Sequence, residues 1–203
     1  MKFDTNVFFT SDPHFYHNSI LKYGRGESFS NVEEMNEKLI SNWNEVVPKD
    51  GIVFVLGDFA LCSKTKIHEI LDRLNGKIYL ILGNHDDKSY FKHPKVVFVD
   101  NYLRIKIEDN DIILSHYPFR SWEKRQYGAW NLHGHCHNTL DQDGSKQMDC
   151  CVENGKRYKP FSYFEIKEFM KDKVNLKVDH HSRRNTFYNR LKNVLKYLFY
   201  GHI

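Results

Sequence analysis

The chain has 203 residues, of which 40% are hydrophobic and 15% aromatic, enough to fold around a sizeable core rather than remain disordered. Its formal net charge of +4 is carried at one end: five of the 30 basic residues and none of the 26 acidic ones lie beyond Asp179, so residues 1–179 hold 25 against 26, a net of −1. This argues against a general nucleic-acid-binding surface on the body, and no apolar run approaches the ~18 residues of a membrane span.

Residues 1–6 lead directly into a strand-like run, with no signal-peptide core, so a cytoplasmic location is expected. Cys62, Cys136 and the adjacent Cys150 and Cys151 have neither disulfide-framework nor zinc-knuckle spacing, and buried reduced thiols are expected. Twelve histidines are present, and their positions carry the functional argument.

In chain order, residues 7–10 read as a buried strand ending at Ser11-Asp12-Pro13-His14. A helix follows, with Ser30 and Glu33 as a capping box and Val32, Met35, Leu39, Trp43 and Val46 at helical spacing. Residues 52–56 form an apolar strand that stops at Gly57-Asp58. A second amphipathic helix buries Ile67, Ile70, Leu71 and Leu74 and closes at Asn75-Gly76. Residues 78–82 form the next strand and run into Gly83-Asn84-His85-Asp86. Continuous apolar strands alternating with helices predict a sheet covered on both faces, hence an α/β layered fold.

Shorter strands follow at 96–99, 103–107 and 112–114, the last two joined as a hairpin across Asp109-Asn110-Asp111. The third leads to Ser115-His116. Residues 129–132 precede His133-Gly134-His135-Cys136-His137, another strand is expected within 147–152, and Ser162 with Glu165 caps a helix reaching about residue 170. His133 is read as a strand-end neighbour of the ligands.

Asp12, His14, Asp58, Asn84, His85, His116, His135 and His137 thus each stand just after a strand, where α/β sheets place ligand sites. Carboxylates and imidazoles suit borderline divalent cations, and these residues are too many for one tetrahedral zinc but enough for two ions. Two ions about 3.5–4 Å apart can grip both free oxygens of a phosphate ester and acidify a bridging water.

Asp12-x-His14, Gly57-Asp58, Gly83-Asn84-His85-Asp86, His116 and Gly134-His135-x-His137, in this order, resemble the calcineurin-like metallophosphoesterase superfamily. The resemblance implies a four-layer α-β-β-α sandwich of two mixed sheets and a dinuclear centre that hydrolyses a phosphomonoester or nucleotide phosphodiester with metal-activated hydroxide. It places Asp12, His14, Asp58 and His137 around one ion, and Asn84, His116 and His135 around the other, with Asp58 bridging. His85 is then the acid that protonates the leaving oxygen, and Asp86 orients its ring. The metal is expected to be manganese, with iron, zinc or nickel as alternatives. Ser11-Asp12-Pro13-His14-Phe15-Tyr16-His17 is similar to the small bacterial and phage branch, whose members often have Gly where Tyr16 stands; Tyr16 is expected to narrow the cleft entrance.

Substrate contacts are expected from His17 and from Arg120 on a phosphate oxygen, with Tyr117, Phe119 or Trp122 stacking on a base. The substrate is expected to be small and phosphorylated, a nucleotide among the options; a nuclease and a non-catalytic scaffold are the competing functions. Residues 1–172 are expected to form the phosphoesterase domain and 173–203 a basic extension. In the latter, Phe187, Leu191, Val194, Leu195 and Leu198 share one helical face. That face is expected to pack on the sandwich or on a second copy of the chain, with a membrane surface or partner protein as the alternative.

Overall fold

A computed structural model of the chain describes residues 1–141 and 143–176. Among these, ten strands form two five-stranded mixed sheets. In the first, β2 (Val7–Thr10), β3 (Ile52–Val55), β4 (Lys77–Ile81) and β5 (Val96–Asp100) run parallel, and β10 (Phe161–Ser162) lies antiparallel beside β2. In the second, β1 (Lys2–Phe3) is parallel to β6 (Tyr102–Ile107), β6 is antiparallel to β7 (Asn110–Ser115), and β7, β8 (Trp130–His133) and β9 (Gln147–Asp149) are parallel.

The period-2 alternation of side chains, with both faces covered, explains why β3, and β4 beyond its first residue Lys77, are apolar or aromatic. Val53, Val55, Ile78 and Leu80 face helices α1 (Val32–Val46) and α2 (Lys64–Arg73). Phe54, Leu56 and Ile81 point the other way, to Ile105, Ile112, Leu114 and Leu132 of the second sheet. Each such side chain, fully buried, contributes about 1.5–3 kcal/mol. The second helix ends as the sequence suggests, with Gly76 at φ 86°.

Three local expectations are corrected. The cap of α1 is Asn31, whose side chain accepts the Glu34 N–H (2.8 Å) while Glu34 accepts from the Ser30 N–H (2.8 Å). The cap therefore sits one residue later than Ser30, and Glu34 reaches back past it to the Ser30 N–H, because the extended Asn31 backbone presents its side-chain amide oxygen to the helix end. The β6–β7 turn comprises Glu108 and Asp109, since Ile107 pairs with Asn110. Cys62 and Cys136 are only half-buried, although all four cysteines are free.

Helix α3 (Tyr163–Phe169) starts in the expected capping box of Ser162 and Glu165. Tyr163, Ile166 and Met170 insert into the core between the sheets, and Tyr163 stacks on Trp130 with centroids 6.0 Å apart. On the far face of the second sheet, Ile113 is covered by Trp122 and Ala129 from the 117–129 loop. Among the described residues no helix is long and apolar enough to cross a membrane. The helical stripe expected at Phe187, Leu191, Val194, Leu195 and Leu198 lies outside the described residues.

Candidate metal centre

The C-terminal ends of β2 and β9 join the two sheets. Ser11 N–H donates to the Cys150 carbonyl (2.9 Å), and the Ser11 carbonyl accepts from Val152 N–H (3.0 Å). Neighbouring turns are tied in the same way: Asp12 N–H to Gly57 O (3.0 Å), His14 N–H to Asp58 O (3.1 Å), Gly134 N–H to His116 O (2.9 Å). Asp12, His14, Asp58, His135 and His137 all have φ between 46° and 68°. This left-handed region costs a non-glycine residue on the order of 1–3 kcal/mol, and such strain concentrates at functional sites. The motif glycines leave room for the ligands. A Cβ on Gly134 would lie 1.8 Å from Ser11 Oγ and 2.3 Å from Asp12 Oδ2; one on Gly83 would lie 2.2 Å from Asp58 Oδ1.

Seven side chains therefore converge. His14 Nε2 lies 3.8 Å from Asp12 Oδ1 and 3.7 Å from Asp58 Oδ2; His137 Nε2 is 3.7 Å from Asp12 Oδ1, and His116 Nε2 is 3.6 Å from Asp58 Oδ2. Asn84 Oδ1 is 3.0 Å from His116 Nε2 and 3.1 Å from His135 Nδ1. Two ligand atoms bound at ~2.1 Å to one ion lie roughly 3–4 Å apart. Asp12 Oδ1 and His14 Nε2 are buried with no hydrogen-bond partner, a costly arrangement that a cation would relieve. Asp12, His14 and His137 form one tight cluster, and Asp12, Asp58 and His116 another. The residues present fit divalent cations.

Electrostatics point the same way. Burial raises the Asp12 carboxyl to about 6, against the opposing pull of His137 and the Ser11 hydroxyl. Burial, with Arg25 and the surrounding imidazoles, pushes His14 down to about 2, so its lone pair stays available. His17 and His135 are lowered by burial and by neighbouring imidazoles. At His137 burial opposes protonation, but the hydrogen bond and charge of Glu153 outweigh it and raise the ring. Glu153 itself is held at about 2 by His137 and Arg25 despite burial.

The ligands open onto a cleft of about 560 Å³ lined also by His17, Ile20, Tyr23, His85 and Thr139. His17 Nδ1 lies 3.2 Å from His14 Nδ1, and the half-exposed His85 has Nε2 4.0 Å from Asp58 Oδ2. Tyr117 leans on His135, centroids 4.4 Å apart, with its hydroxyl 3.4 Å from Asn84 Oδ1.

Asp86 does not reach the His85 ring. Its carboxylate accepts the backbone N–H groups of Asp58 (2.8 Å), Phe59 (2.9 Å) and Gly83 (2.9 Å), so it shapes the turn presenting Asp58. Arg120 is exposed and absent from the cleft lining described, because Trp122 and Phe119 anchor its loop on the far face of the second sheet. Of the proposed stacking residues only Tyr117 borders the ligands. Tyr16 does not narrow the cleft: its ring lies under Lys66 (4.5 Å), and its φ of 59° is a conformation glycine adopts without strain. Two residues at the site were not apparent from the sequence, the buried Arg25 and the partly buried Glu153, since they meet each other across 128 residues of chain.

Comparisons with known proteins agree with this architecture. The chain is 40% identical over 139 residues to uncharacterized protein MJ1445 of Methanocaldococcus jannaschii, covering 67% of this chain and 72% of that one. It is 30% identical over 167 residues to the Gene 66 protein of Mycobacterium phage L5, covering 67% and 79%. A protein of unknown function from Aquifex aeolicus, AQ665, superposes with a TM-score of 0.62 at 25% identity, over 80% of this chain and 98% of that one. The family model described as calcineurin-like phosphoesterase matches residues 5–203, and the chain belongs to that family of metal-dependent hydrolases acting on phosphate esters.

Proposed function

We propose that this phosphoesterase holds two divalent cations, manganese foremost, and hydrolyses a small phosphomonoester or nucleotide phosphodiester in a cytoplasmic setting. The observation that carries the dinuclear reading is Asp58 Oδ2, which faces His14 Nε2 at 3.7 Å on one side and His116 Nε2 at 3.6 Å on the other. Asp12, His14 and His137 surround one position, Asn84, His116 and His135 the other, and Asp58 lies between. When bound, the ions supply charge neutralisation at the phosphoryl group and acidify water to near-neutral pKa.

The side chains do the rest. His14 would hold an ion through Nε2, which would leave its proton on Nδ1, 3.2 Å from His17 Nδ1 and placed to be donated to it. His17 then keeps its own proton on Nε2 and offers it to a phosphoryl oxygen. His85, on the cleft wall, delivers a proton to the leaving oxygen. No lysine or arginine lines the cleft among the described residues, which favours a small substrate over a polymer gripped along its backbone. The four free cysteines suit a reducing compartment.

The test is turnover of p-nitrophenyl phosphate, bis-p-nitrophenyl phosphate and their alkyl counterparts by metal-stripped protein reloaded with Mn²⁺. Turnover should require the metal. His85→Ala should slow alkyl esters about 10²–10⁴-fold and p-nitrophenyl esters much less, because p-nitrophenolate leaves without a proton. Metal-independent turnover would contradict the reading, and equal losses on both ester types would remove His85 as the acid.

A further inference from the structure

We propose that Arg25 and Glu153 are a positioning pair that sets the metal-binding posture of His137 and the Asp12 turn, so that one of the two ions depends on them. The inference rests on the dinuclear reading above. Arg25 opens a short 3₁₀ turn after Gly24 and is buried. Its Nε donates to Glu153 Oε1, its Nη1 to the Pro13 carbonyl (2.7 Å) and its Nη2 to the Asp12 carbonyl (2.5 Å). A single planar fork thus grips both the Asp12 turn and the carboxylate.

The other oxygen of that carboxylate completes the link. Glu153 Oε2 lies 2.5 Å from His137 Nδ1, and Cys151 Sγ donates to it at 3.1 Å. Fixing the proton on Nδ1 leaves the Nε2 lone pair free, and Nε2 is the atom 3.7 Å from Asp12 Oδ1. A carboxylate behind a ligand histidine fixes its tautomer and raises its basicity. Here the carboxylate is itself held by a cation that also holds the backbone of a second ligand, Asp12. Buried ion pairs are poor stabilisers compared with apolar packing, so stability alone does not account for placing one here.

The experiment is a calorimetric titration of Mn²⁺ into metal-stripped protein, wild type against Glu153→Gln, with the melting temperature of the metal-free form measured alongside. Wild type should show two sites. The variant should bind one ion 10–100-fold more weakly and the other unchanged within about threefold, while the metal-free melting temperature falls because Arg25 loses its counter-charge. Turnover lost at low Mn²⁺ should return when Mn²⁺ is raised by the same factor. If Glu153→Gln does not fold, Arg25→Met combined with Glu153→Gln leaves no unpaired buried charge and carries the same test. Unchanged affinities, both affinities falling together, or turnover that excess Mn²⁺ does not restore would overturn the positioning role. Wild type binding fewer than two ions would overturn the dinuclear reading, and this inference with it.

Discussion

Five side chains at the centre sit on left-handed backbone, and three motif glycines leave no space for a Cβ beside them. Gly134 is the tightest. Gly134→Ala should push Ser11 and Asp12 aside and lower Mn²⁺-dependent kcat/KM at least tenfold in folded protein; kinetics equal to wild type would show that the turn relaxes freely. At this scale the sequence is informative where a polar residue directly follows an apolar strand, as at Asp12, Asp58, Asn84 and His116. It is uninformative where a role depends on tertiary pairing. Asp86 looks like a partner of its neighbour His85, yet both its oxygens are taken by three backbone N–H groups from adjoining turns. Arg120 looks like a phosphate clamp by loop position, but the aromatic residues beside it fasten that loop on the opposite face of the sheet. Arg25 and Glu153 resemble ordinary loop charges until the fold buries Arg25 and sets Glu153 against it.

Elements with strong periodicity, α1, α2 and the apolar strands, follow from sequence within a residue or two. Strands β1 and β10 have two residues each and exist only because β6 and β2 offer an edge, so no local pattern announces them. The placement of α3 is likewise a tertiary outcome. Its Tyr163 hydroxyl donates to Glu108 (2.9 Å) and accepts from Asn110 (2.8 Å), pinning the helix to the β6–β7 turn. Burial and the Glu108 carboxylate raise that phenol to about 12 from 10.0. Because the folded pKa is raised, the stabilisation is fully present below pH 10 and lost as pH climbs through 10 toward 12. Tyr163→Phe should therefore be less stable by about 1 kcal/mol at neutral pH, with the gap closing in alkaline denaturation curves. A gap that holds constant to pH 12 would contradict this.

For the whole molecule, two sheets stitched at Ser11 and Cys151 bring together turns that are far apart in sequence. The resulting centre is under electrostatic tension without a cation, with a buried unpaired carboxylate oxygen and imidazole nitrogen. Metal at a hundredfold excess over Kd stabilises by about 2.7 kcal/mol, and a domain of this size gains roughly 2–4 °C per kcal/mol. Chelation should therefore lower Tm by roughly 5–10 °C for each ion removed; an unchanged Tm would mean that the cluster is stable without its ions.

The most direct test of the account is electron paramagnetic resonance of the protein titrated with Mn²⁺, with turnover followed in the same samples. Two ions bridged by Asp58 should give an exchange-coupled signal that grows with activity up to two equivalents. Asp58→Asn should lose both the coupling and the turnover. An isolated six-line Mn²⁺ signal at saturation, with full turnover at one equivalent, would contradict the dinuclear centre.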